Sequence, residues 1–309
     1  MKSVLLFSGQ GAQYVGMGKD FYENYEVARN LFDLAESVLS VPLKKICFEG
    51  PEEELKRTEN TQPAVLLISY ISYKLLENHG FKFDTFGGFS LGEYSALTAS
   101  GVIKIEDALK LVRDRGLIFE KAVPKGKGSM AAILGLEDNQ VEEICSKVND
   151  GVVVPANYNC PGQLVISGEK KAVEKACDLA DETGAKRTVI LNVSGPFHSP
   201  LFKKASLELK SILDNINFNT LNNKKVLSNV TADYHKDKEI KDLLVKQMFS
   251  PVKWRYSIEK LIKEDYNTFI ELGPGRVLTG FMRSIDREKK AINIGDIYSF
   301  QKAIEILQN

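Results

Sequence analysis

The sequence predicts an α/β fold: a large α/β-hydrolase-like domain with a parallel sheet core, carrying an inserted small ferredoxin-like α+β domain. Three observations predict it. Strand-like segments alternate with helical ones at both ends, Ser3–Ser8 and Phe83–Phe89 early, Lys225–Asn229 and Thr268–Leu272 late, the pattern of a mostly parallel sheet. The middle instead reads β-α-β-β-α-β, the ferredoxin-like order. Glycine-rich segments bracket that middle, Lys125-Gly126-Lys127-Gly128 leading in and Ser194-Gly195-Pro196 leading out. The expected boundaries are 1–126 with 195–309 for the large domain and 127–194 for the insert. A cleft between the two is the natural place for a ligand.

The elements follow in order. The opening Met1-Lys2-Ser3-Val4-Leu5-Leu6-Phe7-Ser8-Gly9 is too short for a signal peptide and runs straight into glycines, so Ser3–Ser8 is read as the first strand. Pro63, just after Thr61-Gln62, is placed at a helix start, and Ala64–Asn78 carries that helix to a stop at Gly80. Phe83–Phe89 is the next strand and Glu106–Val123 the next helix. In the middle, Ser129–Leu136, Val152–Asn157, Gln163–Ser167 and Lys186–Val193 read as strands, with helices at Glu137–Val148 and Glu169–Thr183. After the strand Lys225–Asn229, helices are expected at Lys238–Phe249 and Pro251–Glu264; after Thr268–Leu272, at Gly275–Ile285 and Asp296–Leu307.

Composition narrows the function. The 309 residues suffice for a large core, and the 41 basic and 41 acidic residues cancel. A general nucleic-acid or membrane-surface role therefore has no electrostatic support. The longest apolar run, Ala64 to Ile71, is far short of a membrane span. Cys47, Cys145, Cys160 and Cys177 are widely spaced, with no metal or redox-pair motif, and are expected to be free thiols in a reducing cytoplasm.

Gly88-Phe89-Ser90-Leu91-Gly92 lies between a strand and a good helix opening, the context of a nucleophile elbow. A sharp strand-to-helix turn forces strained angles on Ser90, and side chains two residues either side would collide; Gly88 and Gly92 remove them. Ser90 is then presented above a helix N-terminus whose free N–H groups can hold an oxyanion. A serine nucleophile needs a base, and the chain has three histidines. His79 ends a helix, where its charge has a structural use. His235 lies in the polar stretch Asp233–Lys238 and is expected to be solvated. His198, in Gly195-Pro196-Phe197-His198-Ser199-Pro200, has apolar and turn neighbours that favour a fixed imidazole, so elimination points to it.

Arg115 is the second sharp feature. Positions 108, 111, 112, 115, 118, 119 and 122 form one helical face and read Ala, Leu, Val, Arg, Ile, Phe, Ala. A guanidinium on such a stripe is paired in an internal salt bridge or meets a ligand anion, such as a substrate carboxylate held bidentately. Arg113 falls on the opposite, solvated side. Gly9-Gln10-Gly11-Ala12-Gln13 follows the first strand, where open α/β sheets bind ligands, and a backbone N–H there can complement that of Leu91 in an oxyanion site. In ordinary α/β-hydrolases the acid lies between nucleophile and histidine in sequence. Nothing marks one carboxylate here, and a backbone carbonyl can orient an imidazole instead.

Gly9–Gln13, Gly88–Glu93, Arg115, Gly195–Ser199 and Glu271-Leu272-Gly273-Pro274-Gly275 occur in this order, together with Thr61-Gln62-Pro63-Ala64, Ala156–Gln163 and Pro251-Val252-Lys253-Trp254. End to end, the chain closely resembles the malonyl-CoA:acyl carrier protein transacylases of fatty-acid synthesis and the related acyltransferase domains of polyketide synthases. The resemblance implies that Ser90 forms a malonyl ester, that His198 serves as its base and then as acid, and that Arg115 holds the malonyl carboxylate. It implies oxyanion N–H groups from Gln10 and Leu91, and a main-chain carbonyl at Gln247 that orients the histidine. Gln62 and Asn159 match further cleft residues, and Phe197 matches the variant associated with malonyl rather than methylmalonyl units. Many relatives carry histidine where this chain has Phe89.

The implied reaction is ping-pong, from malonyl-CoA through malonyl-Ser90 to the phosphopantetheine thiol of holo acyl carrier protein. It uses no metal and no cofactor beyond coenzyme A as substrate. The expected setting is a cytoplasmic monomer without nucleic-acid or membrane partners. The rival readings are a discrete trans-acting acyltransferase of a polyketide synthase, a serine thioesterase or hydrolase, and a non-enzymatic binding module. Lys186-Arg187, Lys203-Lys204, Lys224-Lys225 and Lys289-Lys290 are candidate docking sites for an acidic carrier.

Overall fold

The structure, a computed structural model, describes residues 2–124 and 126–308. Lys125 of the expected linker and the chain ends Met1 and Asn309 lie outside the described residues. The strands are β1 (Ser3–Phe7), β2 (Thr85–Gly88), β3 (Gly128–Leu134), β4 (Val153–Cys160), β5 (Gln163–Glu169), β6 (Arg187–Ile190), β7 (Lys225–Val226), β8 (Thr268–Leu272) and β9 (Lys290–Ile294). They form two sheets. The first has the order β7-β2-β1-β8-β9, with every pairing parallel. The second has the order β4-β5-β3-β6, with every pairing antiparallel, and its strands fall between β2 and β7 in sequence.

The apolar run of β1 has a direct physical cause. Side chains alternate between faces of a strand. Leu5 and Phe7 enter the main core, whereas Val4 and Leu6 enter a second cluster with Trp254 and Phe269. A strand covered on both faces has no polar side to show. Glu271 in β8 is a buried charged exception. Its carboxylate accepts the N–H groups of Leu278 (3.0 Å) and Thr279 (2.7 Å), capping the helix Val277–Ile285.

The helix through the main core runs Thr58–Asn78, so Pro63 lies inside it rather than at its start. Proline lacks the N–H that would bond the carbonyl four residues back. That carbonyl, on Glu59, accepts from Arg113 Nη1 at 3.5 Å, and Asn60 Oδ1 accepts from the same nitrogen at 3.2 Å. Arg113 is therefore half-buried and engaged, not solvated. Four helices precede it where the sequence reading assigned none: Lys19–Asn24, Glu26–Leu39, Leu43–Phe48 and Glu52–Lys56. The helix Ser206–Asp214 and the strand β9 are likewise additional.

β7 is only two residues long, because the chain turns back after it. Leu227 bridges Tyr234, and His235 N–H bonds Val226 O at 2.8 Å. That turn releases Asn229 towards the end of β2. β4 extends past Asn157 to Cys160 through two register irregularities. It reaches the first layer where Asn157 bridges Val252. Arg255 and Tyr256, on the helix Trp254–Lys263, bind Asp138 at 3.2 and 3.0 Å and tie the second sheet's helix Asp138–Lys147 to the larger layer. Among the described residues no helix is long and apolar enough to cross a membrane.

Candidate active site

Ser90 sits between β2 and the helix Leu91–Ala99 with φ 51° and ψ −102°, a left-handed backbone that costs a serine about 1–3 kcal/mol. The flanking glycines explain how the turn closes. A Cβ on Gly88 would lie 1.9 Å from the carbonyl carbon of Gly92, and one on Gly92 would lie 2.1 Å from Phe7 O. Hydrogen bonds hold the strained residue. Ser90 N–H donates to Asn229 Oδ1 at 2.7 Å, and Ser90 C=O accepts from Gln247 Nε2 at 2.9 Å. Asn229 Nδ2 donates to Gly88 O at 2.7 Å, pinning the other side of the turn.

His198, where the chain returns to the larger layer, places Nε2 2.8 Å from Ser90 Oγ. Its Nδ1 lies 2.8 Å from the main-chain carbonyl of Gln247. A carbonyl only accepts, so the proton of the neutral ring is on Nδ1, and Nε2 presents a lone pair to the serine hydroxyl. Burial, then the nearby Arg115 charge, pushes the imidazole down to about 4 against the opposing hydrogen bonds from the backbone at Gln247 and Ser250. At neutral pH the ring is uncharged, with Nε2 free to accept.

Arg115, on the helix Ile105–Ala122, is 1% exposed. Its Nη1 donates to Gln62 Oε1 at 3.0 Å; its Nη2 donates to Gln247 Oε1 at 2.9 Å and to Ser90 Oγ at 3.1 Å. The guanidinium lies over the rings of Phe119 (4.7 Å) and Tyr94 (5.1 Å). Burial lowers its pKa from the ordinary arginine value. Among the described residues no carboxylate forms an ion pair with it, and its Nε has no hydrogen-bond partner. The internal salt bridge is thus not formed, and every side-chain partner of this cation is neutral.

The structure brings Ser90, His198, Arg115, Gln62 and Gln247 into one hydrogen-bonded cluster at the carboxyl ends of the parallel strands. Gln10, in the loop after β1, joins its edge through a long 3.5 Å contact from Gln62 Nε2. Leu91 is the first residue of its helix and has no intrahelical acceptor for its N–H. Phe197 packs edge-on to Phe119 at 4.8 Å and stacks with Phe202 at 6.0 Å. Asn159 is near the end of β4; it is buried, its Oδ1 has no partner, and no hydrogen bond links it to the cluster. Phe89 packs against Trp254 and Phe281, with ring centroids 5.7 and 6.1 Å away. A separate groove of about 1100 Å³, lined by Lys2, Phe81, Phe83 and Lys290 among others, lies at the opposite ends of these strands and touches none of this chemistry.

Three further residues complete the surroundings. Glu93, on the first turn after Ser90, is fully buried; its Oε2 accepts from Gln247 Nε2 (2.8 Å) and Asn229 N–H (3.0 Å). His235 is buried rather than solvated, and its Nε2 lies 2.7 Å from Glu93 Oε1. The hairpin-like return after β7 carries it inward, against the polar look of its neighbours. Asn229 and Glu93 had positional signals: the end of a strand in a parallel sheet, and a spacing of three from Ser90 on one helix. Chemically, the cluster can attack an electrophilic carbonyl from a hydroxyl activated by a neutral imidazole, beside a fixed, unneutralised cation.

Residues 4–296 match the family of the acyl transferase domain. The malonyl CoA-acyl carrier protein transacylase of Bacillus subtilis is 45% identical over 310 residues, covering 99% of this chain and 98% of that protein. The protein of the same name from Haemophilus influenzae is 40% identical, covering 99% of each. Among solved structures, a malonyl CoA-acyl carrier protein transacylase from Clostridium perfringens matches with a TM-score of 0.96 at 42% identity, covering 100% of this chain and 98% of that one. A malonyl-transacylase in complex with its holo type II polyketide acyl-carrier protein matches with a TM-score of 0.96 at 37% identity, covering 99% and 100%.

Proposed function

The chain belongs to the acyl transferase domain family, and on that premise we propose that it transfers malonyl groups from malonyl-CoA to the phosphopantetheine thiol of acyl carrier protein, supplying extender units for fatty-acid synthesis. The observation that carries this reading is Arg115: a buried guanidinium with no carboxylate of its own, 3.1 Å from Ser90 Oγ. A cation kept so costs free energy unless a ligand anion meets it. The distance suits an acyl group with a carboxylate two bonds beyond its carbonyl carbon.

Ser90 Oγ attacks the thioester carbonyl while His198 Nε2 takes its proton. Backbone N–H groups of Leu91 and Gln10 receive the developing oxyanion. Collapse breaks the C–S bond, and the imidazolium returns its proton to the departing CoA sulfur, leaving malonyl-Ser90. In the second half, His198 deprotonates the carrier thiol, whose sulfur attacks the ester carbonyl, and the proton then passes to Ser90 Oγ. Gln247 C=O keeps the imidazole in the productive tautomer throughout. Gln62 aims the guanidinium, Phe197 crowds an α-methyl group, and Asn159 offers its unpartnered amide oxygen from the second sheet.

This reading assigns 1–126 and 195–309 to a hydrolase-like domain and 127–194 to a ferredoxin-like insert, with substrates entering between them. It needs no metal or prosthetic group and places a monomer in the cytoplasm. Serving a polyketide carrier is the second reading, favoured by the match to a transacylase captured with such a carrier; transfer assays with both carriers separate them. Intact-protein mass spectrometry after brief incubation with malonyl-CoA or acetyl-CoA, without acceptor, tests the whole. The expected result is a persistent malonyl adduct on Ser90, absent in Ser90→Ala and weak in Arg115→Ala. Free CoA accumulating without adduct would instead indicate a thioesterase.

A further inference from the structure

Glu93 and His235 form a buried acid–imidazole pair that the reaction above does not use, directly beneath the cluster that it does. Both side chains are fully inaccessible, and Nε2 and Oε1 are 2.7 Å apart. His235 Nδ1 is buried and has no partner. A proton there would be an unsatisfied buried donor, so the single ring N–H belongs on Nε2 and donates to Glu93. Glu93 therefore accepts three donors: His235 Nε2–H, Gln247 Nε2–H and Asn229 N–H.

The consequence lies in Gln247. A glutamine amide can turn over, exchanging its oxygen for its NH₂. Here the NH₂ is committed to Glu93 Oε2 at 2.8 Å and Ser90 O at 2.9 Å, with Asn229 Oδ1 a longer third acceptor at 3.5 Å. Its Oε1 is thereby forced towards Arg115 Nη2, 2.9 Å away. The amide spans the gap between a buried anion and a buried cation, oxygen to the cation and hydrogen to the anion. Inverted, it would set an N–H against a guanidinium and an oxygen against a carboxylate. Among the described residues no other carboxylate receives a hydrogen bond from this cluster.

We propose that Glu93, held by His235, is a positioning residue for the substrate carboxylate: it fixes the side-chain amide of Gln247 and through it the Arg115 guanidinium. This rests on the reading of Arg115 as the malonyl clamp. The main-chain carbonyl of Gln247 orients His198, whereas its side chain orients Arg115 and also holds Ser90 O. Loss of Glu93 therefore weakens recognition of the malonyl group more than it weakens the Ser90–His198 pair.

The experiment compares two readouts on the full chain: kcat and KM for malonyl-CoA in transfer to holo acyl carrier protein, and the rate at which a neutral fluorophosphonate labels Ser90, which needs no carboxylate clamp. Thermal melting is followed in parallel. Glu93→Gln is expected to lower kcat/KM for malonyl-CoA about tenfold more than it lowers labelling, the scale of one charge-assisted hydrogen bond, mainly through KM. His235→Leu is expected to change the ratio in the same direction, and His235→Gln, which restores an N–H donor, to recover most of it. Equal losses in both readouts, or no loss of the malonyl rate, overturn the proposal. Arg115→Ala is the control. If it does not itself lower the ratio, the clamp reading fails and the proposal falls with it; if it does and Glu93→Gln does not, only the Glu93 role fails. Should Glu93→Gln not fold, the Leu and Gln variants of His235 decide.

Discussion

The most demanding prediction concerns the acid limb of Ser90 reactivity. A solvated histidine loses its proton near 6.5, whereas His198 is held down to about 4. Between those values an ordinary imidazole would already be protonated and inert as a base, while His198 remains neutral. Labelling of Ser90 by a neutral fluorophosphonate should therefore stay flat from pH 8 down to about 5 and fall only near 4. Arg115→Met removes the second cause of the depression while keeping an apolar side chain in place. Burial is the larger cause of the fall from 6.5 to about 4, and the Arg115 charge is the second. Coulomb repulsion argues for a similar scale: Arg115 Nη2 and His198 Nε2 both contact Ser90 Oγ, at 3.1 and 2.8 Å, and like charges roughly 6 Å apart at an effective dielectric of about 20 repel by about 3 kcal/mol, or about two pH units. The expected midpoint in Arg115→Met is about one pH unit higher than in the parent chain. Rates are measured by intact mass against time, with far-UV circular dichroism at each pH. A parent midpoint near 6.5 would refute the burial argument; a midpoint unmoved or lowered in Arg115→Met would refute the proximity of the two charges.

Three more tests bear on the cleft and the turn. Gly92→Ala drives a Cβ to 2.1 Å from Phe7 O, a main-chain atom that has no rotamer to yield, and is expected to cost about 2–3 kcal/mol or more by urea denaturation, as overpacking does. Gln62→Leu leaves Arg115 Nη1 without its 3.0 Å acceptor; KM for malonyl-CoA should rise about tenfold or more, read by steady-state transfer. Phe197→Ala removes a ring packed against Phe119, and the ratio of kcat/KM for malonyl-CoA over methylmalonyl-CoA should fall, about tenfold for one methyl group's worth of space; an unchanged ratio would remove Phe197 from substrate selection.

Local sequence carries the parts of this molecule that depend on local chemistry. The elbow is legible because Gly88 and Gly92 have no alternative at those contacts, and Arg115 because one charged residue interrupts an apolar helical face. The inner strands are legible because both their faces are covered. What escapes is set by returning chain. Pro63 looks like a helix start because its missing N–H is harmless there; only Arg113, 50 residues on, rescues the carbonyl that lets the helix begin at Thr58. His235 looks solvated among Asp, Lys and Tyr, and is buried because the turn after β7 aims it at Glu93. No neighbour along the chain announces either contact. β9 is equally hidden, a short edge strand whose parallel partner β8 lies across a helix.

The same geometry explains why a carbonyl, rather than a carboxylate, supports His198. A carboxylate hydrogen-bonded to Nδ1 would stand within the same buried pocket as Arg115. In that low-dielectric setting a direct anion–cation pair would form, and a substrate carboxylate would have to displace it. A main-chain carbonyl fixes the tautomer equally well and carries no net charge, so the guanidinium stays unneutralised. A buried cation with no counter-charge at all would be costly, and Glu93 meets that need from one amide away. The anion is near enough to offset the cation through Gln247, yet makes no ion pair with it. The acid missing between nucleophile and histidine is thus absent from the imidazole because its charge is more useful behind the arginine.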